Sequence, residues 1–237
     1  MRKLKQCYLS ILTLGLALAA TSIQAQHGHL NAGAVGTAQN DALTFANGNL
    51  FAASSGYVKK LSYKTTGDQT GYFEGAITLT ALAQTVANGG PVQGAPALGS
   101  FVRVKITSVT GPENGSFGFW EEDALSPTYS VKTGSGLSTP LWDLSDAVKG
   151  AGTVGGDPFG HLHGRHFTAD AAGLYTVGFQ LFDTSVNGLG GGGIHAPSDV
   201  LYINFLAVPE PSALALAGLG GTLLVGWGIR RRQRASN

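Results

Sequence analysis

The sequence predicts an all-β chain: a single β-sandwich or jelly-roll domain, flanked by a signal peptide at the amino end and a transmembrane helix at the carboxyl end. Apolar side chains recur at every second position in several stretches between residues 58 and 205, which is the period of a strand with one buried face. Glycine supplies 36 of the 237 residues, about twice its usual share of roughly 7%. Asn-Gly pairs at 47/48, 88/89, 114/115 and 187/188 provide the positive-φ residues that tight connections between strands require.

The chain opens with Arg2, Lys3 and Lys5, an apolar stretch at 9–20 and small residues up to Ala25, the pattern of a secretory signal over residues 1–25. Cys7 is the single cysteine and lies inside that segment, so the exported domain is expected to have no disulfide and to depend on its core. Residues 26–207 form the expected ectodomain. Its first part, 26–40, holds His27, Gly28, His29 and then mostly small residues, too few large apolar groups to nucleate structure, and is expected to be a mobile or loosely paired arm.

Strands follow from the alternation. Phe73, Gly75, Ile77, Leu79 and Ala81 alternate with Glu74, Thr78 and Thr80. Val102, Val104 and Ile106 alternate with Arg103, Lys105 and Thr107; Val177, Phe179 and Leu181 with Thr176, Gly178 and Gln180; Leu201, Ile203 and Phe205 close the series. Shorter strands are expected at 58–63, 115–121 and 128–132, a loop-rich insert at 134–160, and one helical turn near 142–148.

Charge narrows the partners. Between residues 26 and 207 there are eight Lys and Arg against thirteen Asp and Glu, a net charge of −5. An acidic domain without a basic stripe excludes nucleic acid as the expected partner, because phosphate neutralisation supplies most of that affinity. The sequence lacks a Gly-x-Ser-x-Gly elbow, a His-Glu-x-x-His helix and a phosphate-cradling Gly-Lys-Ser loop, so no enzyme activity is expected from these signatures.

The tail, 208–237, has three parts. Val208, Pro209, Glu210, Pro211 and Ser212 make a stiff elbow (208–212), an uncharged apolar run occupies 213–229, and Arg230, Arg231, Arg232 and Arg234 make a basic end (230–234). Seventeen apolar residues are at the short end of what crosses a hydrocarbon core of about 30 Å, and arginines beyond them favour the cytoplasmic side. Together these parts resemble the bacterial PEP-CTERM sorting tail. The resemblance implies an exosortase-type enzyme as partner, membrane attachment through the helix before processing, and delivery to the cell surface or extracellular matrix of a Gram-negative-type bacterium, where envelope polysaccharide is a candidate neighbour.

Four of the six histidines fall late in the chain: His161, His163, His166 and His195. On an extended backbone His161 and His163 share a face, Gly164 lets the chain turn so that His166 can join them, and the glycine run 190–193 gives His195 reach. Three imidazoles suit a borderline cation such as zinc or copper. The same residues also suit strand ends and surface loops, where they hydrogen-bond the backbone. His27 and His29 form a second, weaker pair of candidate ligands.

Ser116, Phe117, Gly118, Phe119, Trp120 and Glu121, followed by Gly160, His161, Leu162, His163 and then Phe167, Thr168, Gly173, Leu174, Tyr175, Thr176 and Val177, resemble the choice-of-anchor M type of bacterial surface-anchored domain. That likeness, over about 100–207, implies a displayed, non-catalytic module, some members of the family being associated with metal supply. Two other readings remain open. His161, His163 and His195 also suit a metal-dependent, cupin-like enzyme; Trp120 beside Glu121, Glu122 and Asp123 suits either core packing or a carbohydrate-binding matrix module.

Overall fold

The computed structural model describes residues 29–86, 89–121, 124–135, 142–143, 160–161 and 166–209. The expected signal peptide, the apolar run and basic end of the tail, and most of the expected 134–160 insert lie outside these residues. The strands are β1 (His29–Ala34), β2 (Leu43–Phe45), β3 (Val58–Tyr63), β4 (Phe73–Gly75), β5 (Thr78–Ala81), β6 (Val102–Thr110), β7 (Ser116–Trp120), β8 (Tyr129–Lys132), β9 (Trp142–Asp143), β10 (Gly160–His161), β11 (His166–Ala169), β12 (Gly173–Asp183) and β13 (Leu201–Val208). Helical residues belong to short 3-10 turns such as Gly48–Leu50 and Ala53–Ser55. Among the described residues no helix is long and apolar enough to cross a membrane.

Two sheets face each other. The larger has nine strands in the order β8-β7-β11-β4-β3-β13-β12-β6-β9, and the smaller has four in the order β10-β5-β1-β2. Pairing is antiparallel except for β13 with β3 and β1 with β5. The alternation sets which side chains enter the space between the sheets: Val102, Val104 and Ile106 of β6, Tyr175, Val177, Phe179 and Leu181 of β12, and Ile203, Phe205 and Ala207 of β13 are all buried. Leu30, Ile77 and Leu79 on the smaller sheet's side meet Phe167, Phe179 and Ile203 of the larger.

The larger sheet is rolled. Phe117 of β7 and Phe205 of β13 are four strand steps apart in the sheet, which on a flat sheet is about 19 Å; their ring centroids are 4.9 Å apart. Phe167 of β11 lies 5.6 Å from Phe179 of β12 and 5.5 Å from Phe205, also across the roll. Burying each of these rings favours the folded state by roughly 1.5–3 kcal/mol, so the aromatic seam closes the roll and the four-stranded sheet covers its mouth.

Three expectations are corrected. Residues 29–34 are no loose arm: β1 is an inner strand of the smaller sheet, with Leu30, Ala32 and Ala34 buried. Small side chains let it lie close to its neighbours, and Ala32 is the register partner of Ala81 in β5. The alternating stretch 73–81 is two strands, β4 in the larger sheet and β5 in the smaller, because the chain leaves one sheet at exposed Ala76 and enters the other. Trp142 and Asp143 pair as strand with Val104 and Arg103 of β6 where a helical turn was expected; residues 144–148 lie outside the described ones.

Candidate functional site

His166 opens β11, opposite Trp120 of β7. Its Nδ1 is 2.5 Å from Oε1 of Glu74 in the adjacent strand β4, and the second oxygen of Glu74 is 3.0 Å from Nζ of Lys64. Burial by itself would raise the Glu74 carboxyl, but the hydrogen bonds from His166 and Lys64 and their charges outweigh it and hold the group below its ordinary range. A carboxylate beside Nδ1 fixes the ring and leaves Nε2 as the nitrogen that Glu74 does not engage, the arrangement found behind metal-ligating and proton-accepting histidines.

The other histidines are placed elsewhere. His29 in β1 sets its Nδ1 3.1 Å from Oγ1 of Thr80 in β5, and the backbone of His161 pairs with that same Thr80 from the other side. Thus His29 and His161 flank one residue of the smaller sheet, whereas His166 belongs to the larger one. His27 and His163 lie outside the described residues, as does the His161–His163 pairing expected from the sequence.

His195 is buried and has both ring nitrogens engaged by backbone: Nε2 accepts from the N–H of Ala97 at 2.8 Å, and Nδ1 faces the carbonyl oxygen of Asp41 at 2.9 Å. The neutral ring protonated at Nδ1 satisfies both contacts, so His195 straps two segments of chain together. Among the described residues no three His, Cys, Asp or Glu side chains are grouped so as to hold a metal ion.

Sequence reasoning missed Asp183, at the end of β12. Its Oδ1 accepts the backbone N–H of Phe101 (2.8 Å) and Ser185 (2.9 Å), and its Oδ2 those of Ile194 (2.8 Å) and His195 (3.0 Å). Burial pushes its carboxyl up, and the amides of Phe101, Ser185 and His195 more than reverse that. The local signal was Asp-Thr-Ser directly after a strand, the pattern of a side chain that bonds the amide two residues on.

Trp120 cannot offer a face to a sugar. It is buried, donates from Nε1 to Oγ1 of Thr168 at 2.8 Å, and meets the ring of Tyr72 edge-on at 5.6 Å. An open cleft of about 300 Å³ lies between β2, the Gly48–Leu50 turn and the start of β13, with Asp199 its one charged lining residue.

The tail leaves from the middle of the larger sheet. Ala207 and Val208 pair with Leu61 and Ser62 of β3, and Ala207 also with Gly173 of β12. Ala207 is buried and Pro209, where the strand ends, is exposed. Residues 207–232 match the family described as the PEP-CTERM protein-sorting motif, so the matched segment begins inside β13. No curated protein and no solved structure matches the chain. The motif supports an exported protein, secreted or displayed at the cell surface after processing by exosortase.

Proposed function

We propose that this chain is a non-catalytic β-sandwich delivered to the cell surface or extracellular matrix, held in the membrane by residues 213–229 until an exosortase-type enzyme acts on the tail. The observation that carries this is the sorting motif at 207–232, joined without a spacer to the last strand of a folded domain. The resemblance of 100–207 to the choice-of-anchor M type of domain agrees with a displayed, non-enzymatic role. Replacing Pro209, Glu210 and Pro211 together by alanine in cells that carry the sorting enzyme should leave a full-length, membrane-retained protein, while the unaltered chain is shortened and leaves the membrane fraction. Identical size and fractionation of the two would reduce the tail to an anchor.

A second reading, a divalent-metal site at the start of β11, is favoured by the Glu74–His166 pair, which orients Nε2 as a ligand would be oriented. His161 and His163 would be the nearest further ligands in sequence. On this reading zinc or copper raises the melting temperature of the protein, since an ion held by the folded state alone adds to its stability. The rise should vanish in His166→Ala and in a His161→Ala, His163→Ala double variant. A rise that survives both substitutions rejects the site.

A further inference from the structure

We infer that one end of the sandwich, formed by the loops 64–72, 111–115, 133–135 and 170–172, lies against the lipid headgroups of the membrane before the tail is cut. This rests on the reading of 213–229 as a membrane segment and follows from where the strands end. Val208 closes β13, and the register places Ser62 of β3, Gly173 of β12 and Thr110 of β6 at the same end. Phe73 of β4, Ala169 of β11, Phe117 of β7 and Val131 of β8 follow at that end through the other half of the sheet. The loops that continue these strands therefore surround the point where the chain leaves.

The tether is short. From Val208 to Ala213, the first residue of the apolar run, the chain takes five steps, at most about 18 Å fully extended. The headgroup layer fills roughly 5–7 Å of that on each side of the hydrocarbon core. The 64–72 loop continues β3 beyond its end as a hairpin, Lys64 N–H donating to Tyr72 O (2.8 Å) and Gly71 N–H to Lys64 O (2.9 Å), on the side where the tail departs. By contrast the cleft beside β2 and the 189–193 glycine loop sit at or beyond the other end of β13, about 25 Å away along its eight residues.

The end is built to rest on a surface and not to grip it. Its loops are tied together: Thr133 donates from its backbone N–H to Gly115 O (2.9 Å) and from Oγ1 to Pro112 O (2.7 Å), Ser116 N–H donates to Asp170 Oδ1 (2.6 Å), and Tyr175 Oη–H to Ala171 O (3.0 Å). The loops carry no large aliphatic side chain, and Asp68, Glu113 and Asp170 outnumber Lys64, which Glu74 already engages. Acidic groups are not drawn to anionic lipid, and the loops hold no Leu, Ile, Met, Phe or Trp to insert. Contact is imposed by the tether alone and ends with it.

The full chain carrying Cys7→Ser, with a single fluorophore at Asp68→Cys or at Leu189→Cys, is reconstituted in phosphatidylcholine vesicles that bear a headgroup nitroxide. Quenching should be several-fold stronger at position 68 than at 189, and a long Gly-Ser spacer inserted between Val208 and Pro209 should bring the first down to the second while the protein still floats with the vesicles. Flotation with equal quenching at both positions overturns the inference and leaves the sorting role intact. Failure to float overturns the membrane reading of the tail and this inference with it.

Discussion

Four backbone amides converge on Asp183, and the two segments it collects, around Phe101 and around 194–195, have no strand pairing with each other to fall back on. Asparagine at this position would turn an N–H toward amides that need an acceptor. Asp183→Asn is therefore expected to cost about 2–4 kcal/mol at neutral pH, read from urea unfolding. The pH dependence has a definite sign. A carboxyl held low in the folded state stabilises it fully above the unfolded value of about 3.9 and progressively less as pH falls toward the folded value. Unfolding free energy of the wild type should thus drop below about pH 4, and the variant should show a shallower fall. Glu74, held low by His166 and Lys64, keeps part of the slope in both proteins.

Among the elements, β1 divides what the sequence discloses from what it hides. Strands β6, β12 and β13 were legible because Val, Ile, Leu and Phe alternate with polar residues along them. His29–Ala34 has Leu30 as its one large apolar residue, and its Ala and Gly positions give no amphipathic signal until the partners that cover them are known. Asn47 shows the same limit: it accepts from the N–H of Asn31 at 2.8 Å and donates to the carbonyl oxygen of His29 at 2.7 Å, and nothing in an Asn-Gly turn announces that service. The alternation through 73–81 carried no mark of the change of sheet at Ala76, since period two continues across it. The pairing of His166 with Glu74 joins residues 92 apart and could not be read from spacing. Deleting residues 26–34 tests the element directly: an arm could be removed without loss, whereas the removal of β1 separates β2 from β5 and should abolish the cooperative melt and expose the domain to protease.

At the scale of the molecule, the strand that completes the sandwich is the last one before the tail. β13 lies between β3 and β12 in the larger sheet, and its Ile203, Phe205 and Ala207 are buried in the shared core. A chain stopped at residue 198 would leave two half-sheets with open inner edges and is expected to remain unfolded by circular dichroism and proteolysis, while a chain stopped at 209 folds. The parallel pairing of β13 with β3, whose partners such as Asn204 and Val58 are 146 residues apart, adds a long loop to be closed at the end of assembly. In a polypeptide threaded amino end first through an export channel, this order of strands works as a clock. Residues up to 200 cross before their sheet can close, so the passenger stays pliable in transit, and on the proposed reading of 213–229 as a membrane segment it can stiffen only as that segment reaches the pore.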